Sequence, residues 1–75
     1  MSTLYVESEY DMDQALAETM KLVKLRHCTL NLGFNNMKMV SIFLDNLKQE
    51  LVEQKIEPDE KNFHLNIMVK ENEQT

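Results

Sequence analysis

A chain of 75 residues with one glycine, one proline and one cysteine has room for one domain and not for a second. A domain this small buries only roughly 60% of the surface its unfolded chain exposes, so a partner subunit is an expected supplement to its core. Eight Lys and Arg against thirteen Asp and Glu give a formal net charge of −5, which argues against broad phosphate-backbone contact with nucleic acid and favours another protein with a basic surface as partner. The lone Cys28 excludes an intrachain disulfide framework, leaves a disulfide-linked dimer open, and otherwise fits a reducing compartment. The N-terminus shows no basic segment followed by a long apolar run, and the longest apolar stretch, Ile42-Phe43-Leu44, is too short to enter a membrane as a spanning helix. The expectation is a cytoplasmic protein with no membrane contact.

Along the chain, Thr3 to Glu7 alternates briefly and predicts a short strand. At Asp11 the period changes. Asp11 is a candidate N-cap with Gln14 at the third helical position, and Met12, Leu16, Thr19, Met20 and Val23 then share one face, predicting a helix from about Met12 to about Arg26. The stretch Cys28 to Phe34 alternates with period two and is either a strand or a connector in which Gly33, Asn35 and Asn36 break the helix. Asn35 is the candidate cap of a second helix, with Phe34 and Met39 in the two positions of a hydrophobic staple. That helix carries Met37, Val40, Phe43, Leu44, Leu47 and Leu51 as its stripe and has Pro58 as its stop. After a turn at Glu57 to Glu60, Phe63 to Lys70 alternates, predicting a half-buried strand with Phe63, Leu65, Ile67 and Val69 inward. The polar residues 71–75 are expected to be a disordered tail.

These elements predict an α+β domain: two helices packed on one face of a small two- or three-stranded sheet, with a C-terminal strand around residues 62–70 as its best strand. If residues 28–34 form a strand the sheet has three; if they form a connector, an αα-hairpin is flanked by two. An all-helical bundle with an irregular C-terminal arm is the remaining alternative.

No side chain is assigned a catalytic, cofactor-binding or metal-binding role. The single Gly33 cannot supply a glycine-rich phosphate loop, and neither a His-Glu-x-x-His nor a paired-cysteine motif is present. His27, Cys28 and His64 are ligand-type residues, but adjacent strand side chains such as His27 and Cys28 point to opposite faces, which also opposes a Cys–His nucleophile pair. Lys21, Lys24, Arg26 and His27 form a basic cluster that complements a helix C-terminus and is also a candidate contact for phosphate or an acidic partner. The acidic sets Glu7, Glu9, Asp11, Asp13 and Glu57, Asp59, Glu60 read as solvated charge or as a surface imitating a phosphate backbone.

Apolar residues off the helical stripes carry the functional expectation. Leu22 and Leu25 lie away from the stripe of the first helix, Met39 and Ile42 away from that of the second. They favour the hairpin, which brings them together as one sticky patch, and they predict a homodimer interface. The expected function is a small non-catalytic module that binds and modulates a partner protein, inhibition being one such mode. The alternative is a small nucleic-acid-binding transcriptional regulator that uses the Lys21 to His27 cluster.

Overall fold

The stretch between the two helices decides the architecture. In the computed structural model, which describes residues 3–25 and 28–70, Cys28 to Phe34 is a strand, and the chain runs β1 (Leu4–Val6), α1 (Glu9–Leu25), β2 (Cys28–Phe34), α2 (Met37–Gln54), β3 (Phe63–Val69). Arg26, His27 and the expected disordered tail at 71–75 lie outside the described residues. The hairpin favoured by the off-stripe residues is therefore not formed. β2 is the central strand, paired in parallel with β1 (Leu4 beside Leu32) and with β3 (Cys28 beside Phe63, Phe34 beside Val69). Parallel neighbours need a long crossover, and each crossover here contains one helix. The strand order β1-β2-β3 means that both crossovers advance in the same direction, so two crossovers of the usual right hand place both helices on one face. The result is the α+β arrangement of two helices on a three-stranded sheet, with every strand parallel.

Helix α1 starts three residues earlier than its apolar period suggests. The Ser8 hydroxyl accepts from the Asp11 amide at 3.1 Å, and the Asp11 carboxylate reaches back to accept from the Glu7 amide at 3.0 Å. Ser8 is thus the cap, and Asp11, read as the cap from sequence, is the reciprocal carboxylate of a box displaced by one turn. The helix buries Met12, Ala15, Thr19, Met20 and Val23. Thr19 is fully buried, and its hydroxyl donates to the Ala15 carbonyl at 2.7 Å, so no polar group is stranded.

Helix α2 is capped by Asn36 rather than Asn35: its side chain accepts from the Met39 amide at 3.0 Å. This removes the expected staple, and Phe34 instead enters the core, its ring 5.3 Å from that of Phe43 and tilted by 54°. The buried stripe is narrower than the sequence suggests: Val40, Phe43 and Leu47 are buried, Met39 and Leu51 pack against them, and Met37 and Leu44 are exposed. The helix stops before Pro58 is reached. Lys55 adopts the left-handed conformation (φ 56°, ψ 45°), its amide donates to Val52 O at 3.2 Å, and Ile56 N donates to Leu51 O at 2.9 Å, which together form a Schellman closure. Ile56 and Leu51 both pack on the core, supplying the apolar contact that goes with that motif.

A side chain with a Cβ is penalised in the left-handed region by about 1–2 kcal/mol, part of which glycine gives back as unfolded-state entropy. Lys55→Gly is therefore expected to stabilise the domain by roughly 0.5–1 kcal/mol, which thermal unfolding reads as a rise in Tm of a few degrees. An unchanged or lower Tm would contradict the assigned closure.

Candidate interaction surface

All-parallel sheets ordinarily have both faces covered, because crossover helices occupy both sides. Here both helices sit on the face built by Val6, Leu32 and Phe34 with Leu30, Leu65, Ile67 and Val69, all of which belong to or pack on the core. Strand side chains alternate, so the opposite face carries Tyr5, Thr29, Asn31, Gly33, His64, Asn66 and Met68. No element among the described residues covers it.

The register arranges this face in rows. Tyr5, Gly33 and Met68 are side by side, then Asn31 and Asn66, then Thr29 and His64. The Cδ1–Cε1 edge of the Tyr5 ring closes over Gly33, where a Cβ would stand 2.7 Å from Cδ1 and 2.8 Å from Cε1. The single glycine therefore seats an aromatic ring in the sheet centre and is not a helix breaker. Lys70 Nζ stands 6.0 Å from the Tyr5 ring centroid and 3.7 Å from a Glu7 carboxylate oxygen. Both contacts are solvent-facing and orient more than they stabilise. Asn66 Nδ2 donates to Asn31 Oδ1 at 2.9 Å, joining β3 to β2 across the bare face. Tyr5 and Met68 are 56% and 48% exposed, an apolar row beside the polar ones.

The residues singled out from sequence do not all meet. The ends of α1 and the start of α2 are separated by the length of β2, roughly 20 Å at strand rise, so Leu22 and Leu25 do not join Met39 and Ile42 in one patch. Leu25 is exposed and Leu22 half-buried, while Met39 packs against the core and Ile42 is 44% exposed. In the basic cluster, Lys21 and Lys24 are exposed on α1. Lys24 shares an open groove of about 920 Å³ with Lys48, Val52, Lys55 and Ile56, so the cations gathered by the fold differ from those adjacent in sequence. Of the acidic sets, Asp11 and Asp59 have local structural tasks: Asp59 Oδ1 accepts from Lys61 N at 3.2 Å and its Oδ2 from Asn62 Nδ2 at 2.9 Å. Cys28 lies on the helix-covered side, its Sγ 3.7 Å from Leu22 O, whereas His64 lies on the bare face. The two cannot act as a pair.

Sequence reading missed the Tyr5–Gly33 seat. A tyrosine in a first strand and a lone glycine in a second are linked only once the parallel register is known. Compared with protein-family models, curated proteins and solved structures, the chain has no match. Its function has to be read from this surface.

A ring held against Gly33 places its α-protons in the ring-current field, so their NMR resonances are expected to be displaced from those of ordinary strand glycine and should return when Tyr5 is changed to Leu. As a change at an exposed position, Tyr5→Leu should alter stability by no more than about 0.5 kcal/mol. Gly33 resonances indifferent to that substitution would place the ring elsewhere.

Proposed function

We propose that this chain is a small acidic, non-catalytic protein–protein interaction module that binds a partner protein and modulates it, acting as a homodimer. The observation that carries the reading is the parallel sheet covered on one side only. Its bare face offers Tyr5 and Met68 as apolar anchors at one end, next to the polar rows of Asn31 with Asn66 and Thr29 with His64, a composition that suits a surface exposed when free and covered when bound. Glu7 follows β1, and Glu57, Asp59 and Glu60 precede β3, so acidic groups stand at opposite ends of the sheet and suit a partner with basic flanks. Binding across this face would act by occlusion, covering whatever surface of the partner it meets.

A second reading has one observation in its favour: Lys24, Lys48 and Lys55 converge on one groove in a chain of net charge −5. They would serve a small nucleic-acid-binding transcriptional regulator, in place of the full Lys21 to His27 cluster. Lys24 in the last turn of α1 and Lys55 at the cap of α2 also complement the negative ends of those helices, which accounts for their placement without a ligand.

Affinity capture from the native host separates the two. The interaction module is expected to retain a stoichiometric protein that is lost from Met68→Lys and kept by Val52→Glu, a change on α2 away from the sheet. Capture indifferent to Met68→Lys would refute the assigned face. A salt-sensitive duplex shift abolished by changing Lys24, Lys48 and Lys55 together to Gln would establish the second reading instead.

A further inference from the structure

We infer that the free edge of β3 is where two copies of this chain join, antiparallel and centred on Asn66, to make one continuous sheet. The inference rests on the reading of the chain as a homodimeric interaction module and supplies the surface and register of that dimer.

Sheet edges in soluble proteins are guarded by shortness, charge, proline or a bulge. The edge at β1 is three residues long. The edge at β3 is seven residues long, reads Phe-His-Leu-Asn-Ile-Met-Val, and has neither proline nor an acidic or basic residue other than His64. Its backbone is aimed outward at alternate positions. Cys28 N donates to Asn62 O at 3.1 Å and Lys70 N donates to Phe34 O at 2.8 Å, so the alternation of a parallel ladder commits the even-numbered residues of β3 to β2. The N–H and C=O groups of Leu65, Ile67 and Val69 then face the open edge, while the Phe63 N–H is held by the Asp59 carbonyl at 2.8 Å and leaves its own carbonyl to the edge. The side chains of the same four residues point to the helix side yet are only half-buried, because α2 covers the edge strand incompletely.

Self-complementarity selects a second copy as the occupant. A two-fold axis through Asn66 sets Leu65 opposite Ile67 of the other copy, where both N–H···O bonds can be exchanged, and Phe63 opposite Val69, where the Phe63 carbonyl can accept from the Val69 amide; each pair matches apolar with apolar. Asn66 meets its own copy at the non-hydrogen-bonded position. Its bond to Asn31 uses one of two amide protons, leaving a proton and the carbonyl oxygen for the partner amide. No carboxylate lies in either paired strand, so the joined strands meet without like charges face to face.

The helix above agrees with this placement. Lys48 and Val52 of α2 share a groove with Val23 and Lys24 of α1, so the opposite flank of α2, where Met39 and Ile42 fall at 100° per residue, faces the β3 side. Joining two β3 edges brings that flank beside its copy and covers the exposed Ile42. The surplus apolar surface of α2 and the unguarded edge thus belong to one interface, while Leu22 and Leu25 lie outside it.

Sedimentation of the full chain at micromolar concentration is expected to show a dimer. Ile42→Glu should weaken it by at least about tenfold, since it places a charge in an apolar contact, and Val52→Glu should leave it intact. In a Cys28→Ser background, Asn66→Cys should form an interchain disulfide under mild oxidation, because non-hydrogen-bonded partners sit about 4.5 Å apart at Cα. Thr29→Cys, in the same background and on the same face but in the central strand, should not. A monomer at all accessible concentrations would overturn the edge, with partner capture still deciding the module reading. A dimer that cross-links through Thr29→Cys and not through Asn66→Cys would overturn the edge and leave the homodimer standing, formed face to face.

Discussion

Parallel pairing of both outer strands to β2 is the constraint on which the molecule depends. A parallel neighbour cannot be reached by a tight turn, so the chain spends α1 and α2 on crossovers. Because the strands are laid down in the order β1, β2, β3, the two crossovers fall on the same side, and the core forms only there. Leu32 and Phe34, at the centre of that arrangement, are buried to 1% exposure or less, and Phe43 descends from α2 onto Phe34. Among the described residues there is no third layer, so the other face stays bare, and so does the seven-residue edge at β3.

The polar residues of the sheet make sense only in relation to that bareness. Asn31 and Asn66 pair with one another across two strands, Gly33 makes room for the Tyr5 ring, and Met68 stands beside them without cover. A face meant for bulk water alone would have no need of a tyrosine seated on a glycine or of an uncovered methionine in the same row. Charges lie beyond the strand ends, with Asp11 and Asp59 closing local turns and the lysines Lys24, Lys48 and Lys55 gathered in the groove between the helices. The bare face is thus apolar and amide-rich with charge at its margins, where, on the proposed reading, it would steer association more than set affinity.

Elements whose burial follows one local period were legible from sequence. Phe63 to Val69 alternates because one face packs on helices and the other does not, and the helix stripes follow from Met12, Thr19 and Val23 and from Val40, Phe43 and Leu47. The central strand was the ambiguous one. Asn31 and Gly33 weaken the strand signal of β2, and each is accommodated by a residue distant in sequence: Asn66 and Tyr5 stand beside them in the register. Caps were misplaced by one to three residues because Ser8, Asp11, Asn35 and Asn36 are all competent cap types, and only backbone geometry selects Ser8 and Asn36. The candidate site suffered from the same gap. Leu22 and Leu25, with Met39 and Ile42, favour a hairpin that would join them in one patch, and a strand between the helices divides them. The β3 edge itself could be recognised only after β2 was known to be its one neighbour among the described residues.

Amide hydrogen exchange, followed as a function of protein concentration, tests the central claim most directly. The claim is that the unpaired backbone of β3 is the surface left for association. The amides of His64, Asn66, Met68 and Lys70 are committed to β2 by the parallel ladder and should be protected at every concentration. Those of Leu65, Ile67 and Val69 should exchange rapidly in dilute solution and gain protection together as concentration rises. Odd-numbered amides that remain unprotected under conditions where the protein is dimeric, or that are protected equally at all dilutions, would contradict the account.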